Sequence, residues 1–144
     1  MRFWDSSALV PLLVTQPFSS KTDRWVAEDG ELAVWTLTPI ELASAVMRLV
    51  REGAVGETAA NQAESRIDDL VQSCHVVVDV EAVEAQARRL LRLHPLRAAE
   101  AMQLGAAWEW VAGRPSGRIF HTLDSRLAVA ARREGFRVIP EPRR

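Results

Sequence analysis

Residues 2–9, Arg2-Phe3-Trp4-Asp5-Ser6-Ser7-Ala8-Leu9, carry the pattern that decides the fold. A short apolar run of strand character, Arg2 to Trp4, stops at an acid, and from Ser6 or Ser7 the chain takes up helical spacing through Leu12 and Leu13. The same alternation repeats along the chain. Leu32 to Trp35, His75 to Val78, Arg118 to His121 and Arg137 to Ile139 are short and apolar enough to be buried on both faces, and each is separated from the next by helical stretches. Strand and helix in alternation predict an α/β fold: a central parallel β-sheet of about five short strands flanked by helices.

The intervening helices are marked with different clarity. A second helix is expected from Ser19 to Glu28, before the turn at Gly30. Thr38, Pro39 and Glu41 supply an N-cap, a first-position proline and the acid of a capping box, followed by Ala43, Val46, Met47 and Val50 at helical spacing and a stop at Gly53. Residues 57–72 form another helix, and Val83, Ala87, Leu90, Leu91 and His94 mark the buried stripe of the next, which breaks at His94-Pro95. An alanine-rich helix from Arg97 to Val111 can approach its neighbours closely, and a last helix follows Asp124 and stops at Gly135. One domain over residues 1–140 is expected, with a solvated C-terminal tail at 141–144.

The composition of the 144-residue chain narrows the function. A 48% hydrophobic content fills one sizeable core, and a net charge of −1 means that any nucleic-acid contact is local rather than a property of the whole surface. Lys21 is the only lysine and the other cations are arginines, the side chain best suited to paired contacts with phosphate. A single cysteine, Cys74, excludes an intrachain disulfide and a Cys-based metal site, which favours a reducing compartment, expected to be the cytoplasm. Asp5 interrupts the N-terminal apolar run, so no signal peptide is read there, and no stretch is long enough for a membrane span. No Ser-His-Asp or phosphate-loop motif occurs, and His75, His94 and His121 have no metal-ligand spacing.

What remains is where the acids fall. Asp5 follows the first strand and Asp124 follows the fourth, after Thr122 and Leu123. Ligand sites of open α/β sheets gather at the carboxyl ends of the strands. Glu41 lies in the first turn of a helix that follows the second strand and so projects toward that edge. Glu100 is the fourth acid, in the first turn of the Arg97 helix. Carboxylates collected in one cleft repel each other unless a cation neutralises them, and hard oxygen donors without His or Cys suit Mg²⁺ or Mn²⁺. Such an ion can activate water and stabilise the leaving oxygen in phosphodiester hydrolysis. Each acid also has a plain structural role open to it. Asp124 can cap its helix, Glu41 can complete the capping box with Thr38, and Glu100 can pair with Arg97 on the surface.

Four segments together carry a resemblance: Asp5-Ser6-Ser7-Ala8-Leu9; Glu41-Leu42-Ala43-Ser44-Ala45; His94-Pro95-Leu96-Arg97-Ala98-Ala99-Glu100-Ala101-Met102-Gln103-Leu104; and Thr122-Leu123-Asp124-Ser125-Arg126-Leu127 with Ala130-Ala131. In order and from end to end, they resemble a PIN domain, and more closely the VapC toxins of bacterial type II toxin–antitoxin systems. The resemblance implies a PIN-like fold, Mg²⁺- or Mn²⁺-dependent endoribonuclease activity on RNA, inhibition by a cognate antitoxin protein over the active-site groove, and homodimers. It assigns the metal-binding and catalytic acids to Asp5, Glu41, Glu100 and Asp124, with Ser6 and Thr122 in support. The chain departs from the family at the third acid, usually aspartate and here Glu100. Glu100→Asp is therefore expected to keep or raise activity and Glu100→Ala to remove most of it. Two other readings stay open: a catalytically weak PIN-like module that binds RNA or protein through the same cleft, and a PIN nuclease acting outside any toxin–antitoxin system.

RNA needs cations besides a metal. Arg48, Arg51, Arg88, Arg89, Arg92, Arg97 and Arg126 are candidates, with Arg97 and Arg126 favoured because each lies close in sequence to a proposed acid. Most surface arginines merely pair with nearby acids. Among the five tryptophans, core packing is expected for most, with one ring of Trp108 and Trp110 exposed.

Overall fold

The computed structural model describes residues 1–141. In chain order the elements are β1 (Arg2–Trp4), α1 (Ser6–Leu13), α2 (Ser19–Glu28), β2 (Leu32–Trp35), α3 (Thr38–Arg51), α4 (Glu57–Gln72), β3 (His75–Val77), α5 (Val80–Leu93), α6 (Ala98–Trp110), β4 (Ile119–His121), α7 (Ser125–Arg133) and β5 (Arg137–Ile139). All strand pairs are parallel and the sheet order is β3-β2-β1-β4-β5. The expected α/β architecture is therefore present, with the strand near residue 75 ending at Val77 and that near residue 120 beginning at Ile119.

This strand order positions the site. The chain builds outward from β1 to β3 on one side, then crosses to β4 and β5 on the other. Beyond the carboxyl ends of β1 and β4 the loops diverge, which is where a crevice forms in an open α/β sheet. Asp5 leaves β1 and Thr122 leaves β4 at that place, and the register Trp4↔His121 brings them side by side.

Successive strand residues point to opposite faces, and both faces are buried. Phe3, Ala33, Trp35, Phe120 and Val138 pack with Leu90, Leu104 and Leu127 from α5, α6 and α7. Trp4, Leu32 and Val34 pack against Leu9, Leu42, Val46 and Ile67 from α1, α3 and α4. Helices α5 and α6 approach closely at Gly105 of α6, where a Cβ would lie 2.9 Å from the Val83 carbonyl oxygen and 3.2 Å from the Ala87 nitrogen of α5. Small residues on the alanine-rich helix thus set its position.

Gly53 and Gly135, at φ of 74° and 101°, terminate α3 and α7 as their spacing predicts. Leu91 departs from the expected buried stripe: it is 44% exposed, while Val83, Ala87, Leu90 and His94 are buried. The rings of Trp108 and Trp110 are both half-buried, each covered by a guanidinium, Arg89 at 4.6 Å and Arg118 at 4.5 Å. Residues 142–144 of the expected tail lie outside the described residues.

Candidate functional site

At the β1–β4 junction the side chains are fastened to one another rather than to solvent. Asp5 is only 4% exposed. Its Oδ2 accepts a hydrogen bond from Thr122 Oγ1 at 2.8 Å and another from Ser7 Oγ. Thr122 Oγ1 in turn accepts the backbone N–H of Asp124 at 3.0 Å, so one hydroxyl ties the acid of β1 to the acid that follows β4. Ser7 Oγ accepts the N–H of Leu123 at 2.9 Å, a second cross-link between the same two segments.

Glu41 joins through Ser6. The Ser6 hydroxyl lies 2.9 Å from Glu41 Oε2 and 3.4 Å from Asp5 Oδ1. Glu41 also accepts the indole N–H of Trp35 at 3.2 Å and the amide of Gln103 at 3.0 Å. The capping box expected between Thr38 and Glu41 is therefore not formed. The Thr38 hydroxyl accepts the N–H of Trp35 at 3.3 Å, and tertiary donors from three elements claim the Glu41 carboxylate.

Half of such a box occurs instead at α6, where Glu100 Oε2 accepts the backbone N–H of Arg97 at 2.8 Å. The expected ion pair of Glu100 with the Arg97 side chain is replaced by this backbone bond and a loose pair with Arg126 at 3.9 Å. Asp124 performs the capping role open to it, accepting the N–H of Leu127 at 2.8 Å.

All four acids line one open cavity of about 630 Å³, together with Ser6, Ser7, Gln103, Arg48 and Arg97. Of the candidate arginines, only Arg48 and Arg97 line it. Arg126 stays outside and touches Glu100, while Arg88 and Arg89 are paired elsewhere, with Glu84 and Glu134. Ser7 and Gln103 are additions that the sequence reading missed. Ser7 is half of a serine pair of which only the first was singled out. Gln103 lies one turn beyond Glu100 on an otherwise apolar and small-residue face, which is its only signal. It is 1% exposed, and its Oε1 has no hydrogen-bond partner among the described residues.

Burial pushes the Asp5 carboxyl up to about 6, against the hydrogen bonds of Ser7 and Thr122, and the charges of Glu41 and Asp124 push the same way. Asp5, Glu41 and Asp124 thus share an electrostatic environment, while the Glu100 carboxylate is engaged at its own helix terminus. Among the described residues no three acidic, histidine or cysteine side chains converge into a ready-made metal cage. The donor set nevertheless suits a hard cation that keeps several waters and takes one or two carboxylates directly, since Asp5 is buried beside two further negative charges.

No family model matches the chain. Two curated relatives from Mycobacterium tuberculosis, Ribonuclease VapC45 and Ribonuclease VapC49, are each 32% identical to it over 139 residues, covering 96% of this chain and 94% of theirs. Among solved structures, PAE2754 from Pyrobaculum aerophilum superposes with a TM-score of 0.62 at 21% identity, covering 96% of this chain and 88% of that one. FitAcB from Neisseria gonorrhoeae superposes with a TM-score of 0.64 at 18% identity, covering 96% of both chains. The solved structures share the fold. The curated relatives match almost end to end, and on that identity and coverage the chain belongs to the VapC family of PIN-domain ribonucleases.

Proposed function

We propose that this chain is the toxin of a type II toxin–antitoxin system, an endoribonuclease that hydrolyses RNA phosphodiester bonds with Mg²⁺ or Mn²⁺. The observation that carries the proposal is the single Thr122 hydroxyl binding both Asp5 and the Asp124 backbone where β1 and β4 end, with Glu41 linked to Asp5 through Ser6. The relatives' name, ribonuclease, supports the same reaction class.

Bound Mg²⁺ or Mn²⁺ would be held by Asp5 and Asp124, with Glu41 and Glu100 on the wall of the same cavity, and would supply an activated water and charge neutralisation at the phosphodiester. The protein's own part is preorganisation. Ser7 and Thr122 fix the Asp5 carboxylate, the Leu127 N–H fixes Asp124, and Trp35 and Gln103 fix Glu41, so the carboxylates are aimed before substrate arrives. Arg48 and Arg97, on the wall of the same cavity, can take backbone phosphates of the RNA. A cognate antitoxin covering this cavity, a homodimeric assembly and a cytoplasmic location complete the proposal. No helix among the described residues is long and apolar enough to cross a membrane.

One observation favours the second reading, a catalytically weak binding module: the Glu100 carboxylate is engaged by its own helix end rather than aimed at Asp5. RNA cleavage separates the two. Purified free of any antitoxin, the parent should cut RNA with Mg²⁺ or Mn²⁺ and not with EDTA, and Asp5→Asn and Asp124→Asn should not. RNA bound but uncut at millimolar metal would establish the binding module in place of the nuclease.

A further inference from the structure

A second cavity of about 410 Å³ adjoins the first, and Phe18, Leu123 and Asp124 line both. Its remaining walls come from α2, α7 and the chain after β5, and include Lys21, Val129, Arg132 and Pro140. Lys21 stands 5.2 Å over the Phe18 ring, and the half-buried Arg132 donates to the Pro140 carbonyl at 3.4 Å. Neither cation forms an ion pair among the described residues. Arg2, Arg88, Arg89, Arg126 and Arg137 all do. Of the carboxylates on the wall, Asp124 accepts the Leu127 N–H and Glu141 pairs with Arg137 at 3.4 Å.

Two free cations, an aromatic ring and an apolar Val129 that is 46% exposed therefore surround a cavity of ligand size, one side chain away from the acid cluster. A polyanion crossing a group of carboxylates is repelled there and has to be held on both sides. The first cavity supplies Arg48 and Arg97, and the second supplies Lys21 and Arg132. We propose that the second cavity is the subsite for the nucleotide adjoining the cleaved bond, its base against Phe18 and Val129 and its outer phosphate on Lys21 and Arg132. The proposal rests on the nuclease reading above and assigns that site a substrate path.

Single-stranded RNA binding to the full chain, measured in EDTA across a salt series so that no cleavage intervenes, tests the subsite. The double variant Lys21→Ala/Arg132→Ala should weaken binding and lower the salt slope by about 0.7 for each phosphate that is no longer neutralised. Phe18→Ala should weaken binding about tenfold with the slope unchanged, as removal of a stacking partner requires. Arg133→Ala, which removes one positive charge from α7 outside the cavity, should leave the slope as it is. With metal restored, the double variant should raise KM more than it lowers kcat, and only for RNA extending past the cleaved bond on one side. A parent that cleaves while the double variant keeps the same slope and KM overturns the subsite alone, whereas a parent that does not cleave defeats the nuclease reading. Intact RNA binding with reduced affinity for an acidic peptide would assign the cavity to a protein partner and overturn the proposal as well.

Discussion

Asp5 and Glu100 line the same cavity, but the chain treats their carboxylates in opposite ways. Asp5 sits where β1 ends, buried, held by hydroxyls from α1 and from the end of β4, and pushed toward neutrality by burial and by Glu41 and Asp124. Glu100 rests on the backbone of its own helix terminus and on an exposed arginine. The first arrangement gathers three carboxylates at one strand-end junction and perturbs the buried one, which marks a candidate functional site, and under the proposed function it is where a cation would sit. The second is what an ordinary first-turn glutamate does, so the proposed function rests its weight on the β1–β4 junction.

The largest effect should come from the junction acids. Asp5→Asn or Asp124→Asn should reduce RNA cleavage about a hundredfold or more, with the fold retained by circular dichroism. Cleavage within a few-fold of the parent would remove the junction from the chemistry. Thr122→Val keeps size but cuts the hydroxyl link between Asp5 and Asp124, and should cost about 10–100-fold in metal affinity or rate. A drop in stability without a change in metal affinity would reduce Thr122 to a packing role.

Acid should expose the difference in the metal-free protein as well. Asp5, at about 6 in the folded state against an ordinary 3.8, binds its proton more tightly folded than unfolded, so it favours folding as pH falls from about 6 to 4. His121, stacked on Trp4 and with no partner for either ring nitrogen among the described residues, is driven by burial down to about 3 from 6.5, with Arg2 acting in the same direction. Its contribution is complete above about 6.5 and is lost as pH falls. The two slopes, each up to about 1.4 kcal/mol per pH unit, oppose one another between about pH 6 and 4. Asp5→Asn removes one of them, so its unfolding free energy in urea should fall more steeply with acid than the parent's. Parallel profiles would show that Asp5 does not carry the raised proton affinity that its burial implies.

The smallest effect is expected at Glu100. Glu100→Ala should cost about 0.5–1 kcal/mol of stability through the missing helix-end bond and less than about tenfold in cleavage rate. That is milder than the near-complete loss the family pattern alone implies. A loss matching that of Asp5→Asn would mean that Glu100 swings into the site when metal or RNA binds.

The fold was legible because its signals are local: apolar strand residues buried on both sides, Pro39 opening a helix, Gly53 and Gly135 closing two. Asp5 and Asp124 were legible for the same reason, each lying just beyond a strand. Which glutamate would cap its helix was not. Thr38-Pro39-Ile40-Glu41 spells a capping box and Arg97-Ala98-Ala99-Glu100 does not, yet Ser6, Trp35 and Gln103 draw Glu41 away while Glu100 meets only the loose Arg126 pair among the described residues. Those donors come from three elements, and their convergence is a property of the packed sheet order rather than of any one segment. The cations illustrate the same point, since only tertiary placement separates Arg48, Arg97, Lys21 and Arg132, which form no ion pair among the described residues, from those already paired.

Metal-linked stability is the sharpest test of a cation site at the β1–β4 junction. With Mn²⁺ or Mg²⁺ titrated into the chelated protein and thermal unfolding followed, a ligand of the native state should stabilise the parent by about 2.7 kcal/mol at a hundred times its Kd. This rise should be absent in Asp5→Asn and Asp124→Asn and retained in Glu100→Gln. The same rise in Asp5→Asn as in the parent, or its disappearance only in Glu100→Gln, would contradict a junction-centred site.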